Sequence, residues 1–163
     1  MPADMLGFRS ANDLRNVFAG TYRSYVYSTP VTAVPAAGSV QAVTSIDSMT
    51  DFVCTALVAV CLYGDLLPSA AADPDANRQV DFFTRIQPRI EVIDSGSGAS
   101  IFDRSDVVFD NIWGTAEDPF ELMQPHVFIA RSVITTIMVN IDAVRNYKIQ
   151  VGFRGYKVPA GRM

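Results

Sequence analysis

Charge is the scarcest resource in this chain. Only 18% of its 163 residues are Asp, Glu, Lys or Arg, below the roughly one quarter usual for a soluble domain, so little polar surface is available for the outside and partners are expected to cover part of it. The 13 Lys and Arg are scattered and outnumbered by 17 Asp and Glu, for a net charge of −4. Neutralising phosphates needs clustered cations, so direct nucleic-acid binding is not expected. Cysteine is limited to two residues and histidine to one, which leaves few ligands or bases for metal or nucleophilic chemistry. The N-terminal sequence has no basic start followed by an apolar stretch, so no secretory signal is visible and folding in a cytoplasm is expected. The longest apolar run, Phe52 to Tyr63, has 12 residues. A membrane-spanning helix needs about 20, so the run is expected in a core, with no membrane partner.

Alternation is what the chain has in quantity. In "NYKIQVGFRGYKV", residues 146–158, Tyr147, Ile149, Val151 and Phe153 fall on one side of an extended strand while Lys148, Gln150 and Arg154 fall on the other. "SVITTIMVNI" sets Ile137, Val139 and Ile141 against Met138 and Asn140. With "DAVRN" as the turn, the two segments are expected to pair as an antiparallel hairpin. Val40, Ala42 and Ile46 predict another strand, and the run from Phe52, ended by Gly64, predicts a long strand buried on both faces. A helix is the competing assignment there, because a short apolar run cannot be typed by period alone. If the run is one strand, Cys54 and Cys61, seven apart, are expected to point to opposite faces more than 20 Å apart at roughly 3.3 Å per residue, as two buried thiols unable to bridge.

Punctuation supplies the rest. Ser10 ahead of Leu14, Val17 and Phe18, with Gly20 behind them, predicts a short N-terminal helix or arm. Pro30, Pro35 and Gly38 make the next segment extended and edge-like. Residues 65–79 read as a long surface loop, and residues 80–94 resume extended structure. "SGSG", residues 95–98, is a hairpin turn. Asp118 before Pro119 is expected to cap one helical turn that Pro125 stops, with Glu117, Asp118 and Glu121 as its acidic start. The organisation expected is an arm and edge segment over residues 1–38 and a β-sandwich over residues 39–163. The fold class expected is all-β, an antiparallel sandwich of jelly-roll type with seven or eight strands and a short N-terminal helix or arm.

Few residues offer chemistry. His126 lies between Pro125 and Val127 without local partners for a nucleophile pair or zinc site, so a structural or surface histidine is expected. "DSGSGAS" lacks the Lys and the following helix of a phosphate loop, and Ser97 lacks the glycine spacing of a hydrolase elbow. Asp94, Asp103, Asp106 and Asp110 could gather oxygens for Ca²⁺ or work as an acid–base pair, but read as solvated turn acids. Phe82, Phe83, Phe102, Phe109, Trp113, Phe120, Phe128 and Phe153 are expected in the core rather than on a sugar-binding platform. No catalytic, metal or cofactor site is expected, and the chain is not expected to be an enzyme.

One resemblance adds to this. "RIEVIDSGSGASIF", "VVFDNIWGTAEDPFELMQPHVF" and "ITTIMVNIDAVRNYKIQVGFRGYKV", over roughly residues 80–158, resemble small structural proteins of tailed bacteriophages. The matching residues are Asp94 to Gly98, Gly114, Pro119, Phe120, Leu122, Pro125, Phe128, Phe153, Gly155, Tyr156 and Lys157. The resemblance implies a virion protein with a jelly-roll-like sandwich, a capsid cement or minor capsid protein, with no catalytic residue. Its implied partners are other copies of itself, as a trimer or higher ring, and the major capsid protein or another virion protein. A neck, tail or fibre connector of the virion is the alternative, and a carbohydrate-binding sandwich or small β-sandwich enzyme a more distant one.

Overall fold

The computed structural model describes residues 24–66, 88–102, 107–108 and 114–160. The expected N-terminal helix, the 65–79 loop beyond Leu66, and Phe82, Phe83, Asp103, Asp106, Phe109, Asp110 and Trp113 lie outside the described residues. Ten strands are described: β1 Ser24–Ser28, β2 Thr32–Val34, β3 Ser39–Ser45, β4 Thr50–Leu66, β5 Arg89–Asp94, β6 Ala99–Ser100, β7 Val107–Val108, β8 Phe120–Phe128, β9 Val133–Val139 and β10 Arg145–Pro159. The excess over seven or eight comes from strands of two or three residues, too short to carry a periodic signal.

The described residues are all-β, with two antiparallel sheets. The first runs β1–β10–β4–β8, with β2 continuing β1's position along β10; the second runs β3–β9–β5, with β6 and β7 on the far side of β5. Phe52, Leu57, Phe128, Ile149, Val151 and Phe153 of the first sheet and Ile90, Val92, Ile134 and Met138 of the second share one core cluster, the arrangement of a β-sandwich. Its centre is aromatic. Phe52, Phe128 and Phe153 follow one another at ring separations of 6.2 and 5.9 Å, and Tyr27 closes on Phe52 at 4.9 Å.

The apolar run is indeed a strand. Residues 51–57 of β4 are all buried, so both faces of the strand are covered there, and β10 and β8 pair with it on either side. Alternation in β10 also holds: Tyr147, Ile149, Val151 and Phe153 are all fully buried.

Three expectations are corrected. The hairpin is an arch: β9 pairs with β3 and β5, while β10 pairs with β1, β2 and β4. Each already has neighbours on both sides, so the turn carries the chain between sheets. The side chains of the turn build that crossing. Asn140 Nδ2 donates to Arg145 O (2.8 Å) and Val34 O (3.4 Å), and Asp142 Oδ1 accepts the N–H groups of Val144 (2.8 Å) and Arg145 (3.2 Å). A hairpin and an arch bury the same alternating pattern, so period alone does not separate them. The buried side of β9 is Ile134, Thr136 and Met138, with Asn140 beyond it, whereas Ile137 and Val139 face outward.

The helical turn after Asp118 is strand. Phe120 and Glu121 pair with Leu57 and Ala56 of β4, Gly114 bridges Val58 and accepts the Ala59 N–H, and this pairing outcompetes the local cap signal. Thr115 closes a short bend instead: its Oγ1 accepts the Asp118 N–H at 3.0 Å. The cysteines also share a side. Cys54 pairs with Gly155 and Ala56 with Arg154, leaving Thr55 as an extra residue. Such a bulge reverses the side-chain parity, so Phe52 and Cys54 before it, and Leu57, Ala59 and Cys61 after it, all join the core. Both thiols are buried and free.

Candidate functional site

The bulge and the hairpin turn converge on the one histidine. Strand β8 breaks its ladder with β4 between Glu121 and His126, opposite Thr55; Pro125 inside the break has no N–H to donate. The ladder resumes with His126 beside Cys54 and Phe128 beside Phe52. His126 then reaches across to the second sheet. Its Nε2 lies 3.1 Å from Asp94 Oδ2, with the Asp94 side chain 2% exposed, and its ring meets Phe128 edge-on at 4.5 Å.

Asp94 also shapes the turn. Its Oδ1 accepts the Gly96 N–H at 2.8 Å and its carbonyl accepts the Gly98 N–H at 2.8 Å, while Gly98 supplies the positive φ of 70° that the turn requires. Burial pushes the Asp94 carboxyl up, but hydrogen bonds from His126 and Gly96 outweigh it and hold the group below the usual carboxylate range. The expectation of a solvated turn acid is therefore corrected for Asp94, which is a buried, paired group.

Cys54, His126 and Asp94 fall in the order thiol, imidazole, carboxylate, which invites a test for nucleophilic chemistry. The thiol fails it. Cys54 is fully buried, donates to Ala56 O at 3.5 Å, and burial raises its pKa to about 12, so it stays protonated and inert. Ser97 fails as well: its hydroxyl donates to the Asp94 carbonyl at 3.4 Å. Among the described residues, no group of three or more His, Cys, Asp or Glu is placed to hold a metal. What the pair does is fasten the edge of one sheet to the turn of the other.

The remaining candidates are surfaces. Strands β3, β4, β5, β9 and β10 define two ends of the sandwich. At one end lie the turns 46–49, 95–98 and 129–132, tied together by Ile46 N–H to Ser132 O, Arg131 N–H to Asp47 O and Ser95 N–H to Val133 O. This end carries Met49, 73% exposed, and Ile129, 51% exposed. Lys157 braces it, with Nζ 3.3 Å from Asp47 Oδ2 and 3.9 Å from the Tyr25 ring centroid. At the other end the turn 35–38 meets the arch through Ala37 N–H to Asp142 O and Asn140 N–H to Gly38 O. This end carries Ile141, 47% exposed, and Val144, 54% exposed. Tyr25, Val26, Val31, Val43, Val60, Phe120 and Met123 are further exposed large hydrophobics, away from the two tips.

Sequence reasoning found the turn at 95–98 but missed the partner of His126. Asp94 and His126 are 32 residues apart, and no local spacing encodes a bond between sheets. The apolar tips were likewise hidden, since exposure depends on which strands are joined. Of the aromatic set, Phe128 and Phe153 are in the core and Phe102 packs against it, while Phe120 is exposed at the β8 edge. No known protein-family model matches this chain, and comparison with curated proteins likewise gives no match.

Proposed function

We propose that this chain is a bacteriophage virion structural protein, a capsid cement or decoration protein of jelly-roll type that stabilises the head by bridging capsomers. The observation that carries the reading is the pair of apolar tips, Met49 with Ile129 at one end and Ile141 with Val144 at the other. A bridge needs two contact surfaces held apart by a rigid body, and the sandwich between these tips is tightly packed. Low charge and the sequence resemblance over residues 80–158 support the same reading. Binding is a mass-action gain: contacts made only in the assembled particle stabilise it in proportion to occupancy. The interior contributes rigidity and no chemistry.

Locating the chain in a density map of purified particles tests this. Many copies at capsomer boundaries are expected. A single ring of copies at one vertex would replace cement by a neck or tail connector, and absence from particles would overturn the virion assignment.

A further inference from the structure

We propose that β3 is a docking edge for the β3 strand of a second copy of this chain, the two pairing antiparallel about a two-fold axis at Ala42. In the second sheet β3 pairs with β9 alone. The bonds from Asn140 N–H to Gly38 O and from Ile46 N–H to Ser132 O set the phase of that ladder. Val40, Ala42 and Thr44 turn their main-chain groups toward β9, so Ser39, Gln41, Val43 and Ser45 turn theirs outward. The side chains of those four are exposed, Val43 by 55%. Among the described residues, no strand pairs with this outer edge.

Exposed strand edges are normally guarded by charge, proline, a bulge or shortness. The other edges of the sandwich have such guards. Strand β1 is five residues long and is followed by Pro30, β8 carries Glu121, Pro125 and a broken ladder, and β6 and β7 have two residues each. Strand β3, "SVQAVTS", has seven residues in unbroken register with no charge and no proline.

The sequence of the strand chooses its own copy as the occupant. Antiparallel self-pairing about Ala42 sets Ser39 opposite Ser45, Val40 opposite Thr44 of nearly the same shape, and Gln41 opposite Val43. This register also places the four residues with outward main-chain groups opposite one another, so all of them form ladder hydrogen bonds. Ala42 then meets its own copy in a non-hydrogen-bonded pair, where Cα atoms approach to about 4.5 Å and a small side chain fits. No like charges oppose each other, and a charged peptide would find no counter-charge on this edge. A two-fold contact closes at two copies, so a larger ring would combine it with one of the tips. The pairing depends on the strand alone and is independent of where the chain resides.

Sedimentation velocity and native mass spectrometry of the full chain test the proposal. A concentration-dependent dimer of twice 17.8 kDa is expected. Val43→Lys, at an exposed position, is expected to weaken it about tenfold or more, and Val43→Pro to do the same by deleting an N–H that β9 does not use; agreement between the two guards against misfolding of either. Ala42→Cys is expected to give a disulfide-linked dimer on mild oxidation, and Val40→Cys not to. A monomer at all concentrations, a dimer indifferent to both Val43 variants, or cross-linking through Val40→Cys in place of Ala42→Cys would overturn it.

Discussion

The two sheets divide the work of this molecule. The β10–β4 sheet has the long strands, of 15 and 17 residues, each flanked on both sides, and it holds most of the fully buried large side chains. The β3–β9–β5 sheet is built from strands of six or seven residues and ends in the uncharged strand β3, whose outer edge pairs with no other strand among the described residues. The buried side chains are therefore concentrated in the first sheet, and the proposed contacts lie on the edge of the second and on the tips. Substitutions in the first should change folding, whereas substitutions on the β3 edge and tips should change association.

The largest effect that would sharpen this contrast is at the centre of the aromatic row. Phe128→Ala removes the ring that stands between Phe52 and Phe153 and is expected to cost about 3–5 kcal/mol in urea unfolding. Gly155→Ala comes next. A Cβ there would lie 1.9 Å from the Val53 carbonyl oxygen, opposite the bulge, so the strands must separate; a loss of about 3 kcal/mol is expected, read as a lowered thermal midpoint. The smallest concerns the bond between the sheets. Asp94 has a lowered folded pKa, so its contribution is present above its unfolded value of about 3.9 and is lost as pH falls through the folded value. Asp94→Asn should cost about 1–2 kcal/mol at neutral pH and flatten the acid limb of the stability curve. Part of that limb will persist, because Asp47 is also held low by the Met49 N–H and Lys157. A variant that kept the wild-type acid limb would place the acid sensitivity outside the bond between the sheets.

The first sheet was also the more legible one. The run from Phe52 and the alternation in residues 146–158 announce strands because burial there follows the period of two directly. The turn at 95–98 was legible for its glycines and its acid. Connections between sheets were not: the arch at 140–144 looks like a hairpin until the bonds of Asn140 and Asp142 are seen. The bulge at Thr55, which moves both cysteines to one side, has no proline or glycine to mark it. Gly155 sits across from it on β10, where a sequence reader sees only a strand glycine. The turn expected after Asp118 shows the opposite failure, a strong local signal overruled by pairing with β4.

The central claim is that adhesion resides at the tips of a rigid sandwich, and it can be separated from folding. Purified chain carrying Met49→Glu with Ile129→Glu, or Ile141→Glu with Val144→Glu, should unfold within about 1 kcal/mol of wild type, since these side chains are exposed. Their occupancy on particles stripped of the chain is the measurement. Folded variants of both pairs that no longer decorate or stabilise the particle are the predicted result; full occupancy by both would contradict the account.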